Sequence, residues 1–103
     1  MIKVYVNKNK IIMTGHANFE EYGKDIVCAS VSSIVTTSIN ACLRIEANSL
    51  VYQEEYEKKE LSKLTIEVMS DNKNVYLIIE NMIQMLEELA ETYKKNIKII
   101  KED

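Results

Sequence analysis

Three residues in this sequence are suited to nucleophilic chemistry: the single histidine, His16, and the two cysteines, Cys28 and Cys42. Cys28 follows His16 by twelve positions, and Gly15 leaves the backbone before the histidine open. Asp25 fits the N-cap of a helix, because its carboxylate can accept a bond from an unpaired first-turn amide. Cys28 is then the third helical residue. There the positive end of the helix dipole and the first-turn amides stabilise a thiolate, and a nearby imidazolium stabilises it further. A free thiol has a pKa of about 8.5, and such a setting lowers it. A thiolate that attacks a carbonyl and a histidine that protonates the departing amine make a Cys/His acyl-transfer pair. First-turn amides near Cys28 are candidate donors to the resulting oxyanion. Asp25 acts in both directions: it caps the helix, but its charge opposes the thiolate.

The same residues also suit a structural role. A cysteine in a helix is most often a small buried hydrophobe. A lone histidine is more often structural or solvated, and on spacing alone those roles are the commoner ones. Cys42 is no partner for Cys28, since fourteen helical residues separate them by roughly 21 Å, beyond the reach of a disulfide or one metal ion. One histidine and two distant cysteines do not make a structural zinc site. Ser32 lies one turn beyond Cys28 on the same side and could hydrogen-bond near it. Glu20, Glu21 and Asp25 form an acidic run, of the kind usually solvated. There is no Gly-rich phosphate loop, and nothing in the sequence calls for a cofactor.

The elements that must position these groups follow from periodicity. Ile2, Val4 and Val6 alternate with polar residues as a strand does. Asn7 to Lys10 reads as a hairpin turn, with a second strand from Ile11 to Ala17. Asn18 to Asp25 breaks the pattern and reads as a loop. A helix then runs to about Glu46, with Val27, Val31, Ile34, Val35, Ile39, Cys42 and Leu43 on one stripe. Strands are expected from Ser49 to Glu57 and around Leu64, Ile66 and Val68, with a turn at Lys58-Lys59-Glu60. Ser70, Asp71 and Asn72 offer caps for a long helix through Val75, Ile79, Met82, Leu86, Leu89 and Tyr93. Met82, Met85 and Tyr76 read as helix core or interface. Asn96 is the expected helix end, and Ile97 to Lys101 the last strand. The order β-β-α-β-β-α-β predicts an α+β fold: a mostly antiparallel sheet with two helices packed on one face.

Composition sets the class. A chain of 103 residues, 47% hydrophobic and 28% charged, with no proline and two glycines, is one small globular domain. Dimerisation would help so small a core. A net charge of -3 argues against nucleic acid as a partner. No apolar run reads as a membrane helix of roughly 20 residues. Met1-Ile2-Lys3 leads straight into a strand pattern, so no signal peptide, reduced thiols and a cytoplasmic location are expected.

The stretch Gly15-His16-Ala17, followed by Tyr22-Gly23-Lys24-Asp25-Ile26-Val27-Cys28-Ala29-Ser30-Val31-Ser32, resembles the ribosomal-processing cysteine protease family, Prp. The family pattern is G-H-A, a loop, then G-x-D-I-V-C-A-A-V-S, and Ser30 departs from it where alanine is usual. The resemblance implies that residues 1–103 form one cysteine protease domain, with Cys28 as nucleophile and His16 as base and acid. It places Asp25 before the nucleophile and residues 18–24 as a lid. On that loop Phe19 and Tyr22 offer apolar contact to an aromatic substrate or else anchor the loop, and Gly23 is a further candidate for supporting the substrate. It also implies a homodimer, and as substrate the precursor of large-subunit ribosomal protein twenty-seven, cut after a Phe-Phe-like sequence. The competing reading is a non-catalytic α/β dimer that binds a ribosomal or other protein. That reading leaves the joint presence of His16 and a helix-start Cys28 unexplained.

Overall fold

Alternating apolar residues build the sheet strand by strand. The structure, a computed structural model, describes residues 1–16 and 25–102. Strand β1 (Ile2–Asn7) turns back through Lys8 and Asn9 into β2 (Lys10–Thr14). After helix α1 (Ile26–Ile45) come the hairpin strands β3 (Leu50–Glu57) and β4 (Glu60–Val68). Helix α2 (Lys73–Thr92) and strand β5 (Ile97–Glu102) follow. The sheet order is β3-β4-β2-β1-β5. Val4 pairs with Met13, Met13 with Leu64, and Ile11 with Ile66, so one face of the sheet carries a continuous apolar layer. Both helices contribute to the same core cluster. The sheet is antiparallel except at one edge, where β1 pairs parallel with β5 because α2 carries the chain across.

Helix α1 begins where expected. Asp25 is its N-cap, and the C-cap amide of Glu46 donates to the Cys42 carbonyl. Val27, Val31, Val35 and Cys42 are buried, and so is Ser38, whose hydroxyl donates to the Ile34 carbonyl at 2.7 Å. That back-bond satisfies a polar group inside an apolar stripe. The expectation that no segment suits a membrane span needs correction. Ile26–Ile45 meets that test by length and composition, with a mean hydropathy of 1.7. Scattered serines and threonines interrupt the apolar run without bringing its average below the range of a membrane span. The same composition fits the core helix it forms here.

Asn72 caps α2 by accepting from the Asn74 amide at 2.8 Å. Val75, Ile79, Met82 and Leu86 are buried, whereas Met85 is exposed and Tyr76 half-buried. The helix ends at Thr92, with Tyr93 as C-cap, rather than at Asn96. The Tyr93 carbonyl accepts from the amides of Asn96 and Ile97, a turn that starts β5 without a further helical turn.

Candidate active site

His16 owes its place to a glycine. Gly15 has φ +85°, and a Cβ there would sit 2.3 Å from the Met1 carbonyl oxygen. This left-handed residue ends β2 at Thr14, so Gly15 and His16 fall outside the strand; its expected end, Ala17, lies outside the described residues. The chain still stays beside β4, because the Gly15 amide donates to the Ser62 carbonyl at 3.2 Å. His16 therefore leaves the sheet next to the start of β4. Its Nε2 lies 3.4 Å from Oε2 of Glu60. Sequence reading put Glu60 in a turn and missed this pairing. The two are 44 positions apart, and only the β2–β4 register brings them together.

Cys28 is the third residue of α1, with Asp25 buried beneath the helix start. One Asp25 oxygen, Oδ1, accepts from the amides of Val27 at 2.9 Å and Cys28 at 3.0 Å. The Asp25 carbonyl accepts from the Ala29 amide at 3.0 Å. Three first-turn amides near Cys28 are thus engaged at the cap rather than turned to open space. These bonds compete with the oxyanion-donor role expected of the first-turn amides.

His16 and Cys28 line one cleft of about 530 Å³. Its α1 wall is formed by Asp25, Cys28, Ser32, Thr36 and Ile39, a single stripe with helical spacing. The opposite wall comes from the end of β2, the start of β4 and Glu54 of β3. At 1.5 Å per residue the α1 stripe is about 20 Å long. A groove of that length takes about six residues of extended peptide. Met13, Val31, Val35 and Leu64 give it an apolar floor.

The structure brings Asp25, Ser32, His16 and Cys28 to this one cleft. Ser30 is not in its lining; its hydroxyl donates to the Ile26 carbonyl at 2.7 Å. Phe19, Tyr22, Gly23 and the two glutamates Glu20 and Glu21 lie outside the described residues. Cys42 is buried, its Sγ 3.8 Å from the Val75 carbonyl oxygen, and burial pushes its thiol pKa up. Among the described residues, no three histidine, cysteine or carboxylate side chains are grouped to hold a metal ion.

Known proteins share this arrangement of elements. Residues 1–98 match the family described as Cysteine protease Prp. The ribosomal processing cysteine protease Prp of Mycoplasma pneumoniae is 33% identical over 97 residues, covering 94% of this chain and 91% of that protein. The Staphylococcus aureus protein of the same name is 32% identical over 91 residues, covering 86% of this chain and 82% of the relative. The crystal structure of S. aureus Prp with a covalently linked product peptide superposes with a TM-score of 0.82 at 30% identity. It covers 99% of this chain and 100% of that one. A match along nearly the whole chain, in sequence and in fold, means that this protein belongs to the cysteine protease Prp family of ribosomal-processing enzymes.

Proposed function

We propose that this enzyme removes the N-terminal extension of large-subunit ribosomal protein twenty-seven, cutting after a Phe-Phe-like sequence, with Cys28 as nucleophile and His16 as acid and base. The observation that carries this reading is the opening of both side chains into one peptide-length groove. The groove's apolar floor suits hydrophobic side chains on the acyl side of the cut.

His16 takes the proton of the Cys28 thiol, and the thiolate attacks the scissile carbonyl. With the Val27, Cys28 and Ala29 amides held at the cap, the Ser32 hydroxyl is our choice of donor to the oxyanion. Collapse of the intermediate breaks the C–N bond as His16 returns the proton to the amine. His16 then takes a proton from water, whose hydroxide oxygen releases the acyl group and regenerates the thiol.

Two further features belong to the same reading. A homodimer is supported by the apolar side chains that one chain leaves exposed, Ile26, Leu77 and Met85 among them. A cytoplasmic setting is supported by Cys42, held as a reduced thiol in the buried core.

The test is cleavage of a peptide spanning the extension and its junction, read by mass spectrometry, with Cys28→Ala and His16→Ala beside the wild type. Cutting by the wild type alone, at the hydrophobic-to-small junction, is the expected result. A folded wild type that leaves the peptide intact overturns the substrate assignment.

A further inference from the structure

The charged groups in the cleft besides the Cys28/His16 pair are Asp25, Glu54, Glu60 and Lys63. Asp25 caps the helix through Oδ1. Glu54 accepts from the Tyr56 hydroxyl, and Lys63 reaches Glu55 at 4.0 Å. Glu60 is the one directed at the histidine, 3.4 Å from Nε2.

We propose that Glu60 is the positioning residue for His16: its carboxylate holds the ring at Nε2, leaving Nδ1 to exchange the proton with Cys28. The inference rests on the Cys28/His16 assignment above and adds the third member that the sequence does not reveal. Two features support it. The β3–β4 hairpin sets the place of Glu60, since the pair Glu57 and Glu60 closes the turn. Glu60 is also on the strand that receives the Gly15 amide, so histidine and carboxylate are fixed by the same two-strand register.

The physical consequence is specific. Glu60 attracts the imidazolium and does little for the neutral ring. It therefore favours the thiolate–imidazolium pair over the thiol–imidazole pair, and it stabilises the form that protonates the amine. In open cleft the two side chains are 41% and 35% exposed, and the attraction is screened. A bound peptide displaces that water and strengthens it. The effect then falls on kcat more than on KM.

The experiment measures the rate at which iodoacetamide alkylates Cys28 near neutral pH, which needs no substrate. Wild type, Glu60→Gln, Glu60→Asp, His16→Ala and the His16→Ala/Glu60→Gln double variant are compared, each checked for folding by circular dichroism. Glu60→Gln is expected to slow alkylation about 3- to 10-fold, with Glu60→Asp recovering part of the loss. In the His16→Ala background, Glu60→Gln is expected to leave the rate unchanged or to raise it, because an isolated carboxylate only opposes the thiolate. With cleavable peptide, Glu60→Gln lowers kcat by a similar factor and leaves KM within about twofold. Equal slowing in both backgrounds overturns the proposal, as does no slowing by Glu60→Gln in the wild-type background. If His16→Ala itself leaves Cys28 as reactive as before, the dyad assignment falls and Glu60's role with it. If His16→Ala slows alkylation and Glu60→Gln does not, the dyad stands and Glu60 alone is overturned.

Discussion

Asp25 joins stability to reactivity in one side chain. It is buried, and a single oxygen accepts the amides of Val27 and Cys28. Asp25→Ala leaves those donors without that acceptor, and a lost N-cap costs about 1–2 kcal/mol. Thermal unfolding should show the corresponding drop in Tm. Asp25→Ser keeps a neutral acceptor at the cap and should recover most of that stability. It also removes a negative charge beside the nucleophile, so Cys28 should alkylate faster in Asp25→Ser than in wild type. A slower rate would mean that the carboxylate supports Cys28 by holding its geometry more than it opposes its charge. Gly15 makes the matching point for His16. A Cβ there meets the Met1 carbonyl oxygen at 2.3 Å, at a φ that side chains rarely adopt. Gly15→Ala should therefore displace the β2 exit and lower activity and Tm together, measured by peptide cleavage and thermal unfolding.

The β3–β4 hairpin fixes where Glu60 stands, and its turn is not ideal. Lys58 and Lys59 both have positive φ, 52° and 68°, as a two-residue type I′ turn requires. Left-handed backbone costs a residue with a side chain roughly 1 kcal/mol, so Lys59→Gly should raise stability by up to about 1 kcal/mol in urea unfolding. Glu60 stays in register, and activity should be unaffected. This hairpin also marks the limit of what the sequence reveals. Alternation at Leu64, Ile66 and Val68, and the three-four stepping of Val75, Ile79, Met82 and Leu86, are local patterns that report their elements directly. The cap at Asp25 and the shared side of Cys28 and Ser32 follow from helical spacing, and the cleft carries both. The neighbour of His16 does not follow from any local pattern. It depends on which strand lies beside β2, and β4 takes that place only because α1 carries the chain past it to the outer strand β3. The parallel edge at β5 is likewise set by the crossover through α2, and the early end of that helix by a turn at Tyr93.

Across the whole molecule, the two cysteines report different things. Cys28 opens into the cleft, while Cys42 sits where α1 meets α2, with no exposed surface. Burial raises the Cys42 pKa above that of a free thiol, because a thiolate there would lose its hydration. The unfolded chain then releases this proton at a lower pH than the folded one. Between the two values the folded state holds more protons, so the slope of stability against pH is negative. The contribution is fully present below the ordinary thiol value and is lost as pH rises through it toward the raised one. For a single group the slope is at most about 1.4 kcal/mol per pH unit. Cys42→Ala removes this term and leaves every other titration in place. The stability difference between wild type and Cys42→Ala should thus be constant below about pH 8 and shift against the wild type by about pH 10. Urea unfolding at a series of pH values measures it directly. A difference that stays constant through the alkaline range would mean that the thiol is not held neutral by burial. In the same samples Cys42 should alkylate at the rate the fold opens, and Cys28 at a rate set by its own ionisation. Urea below the unfolding transition should therefore accelerate the first reaction while leaving the second nearly unchanged.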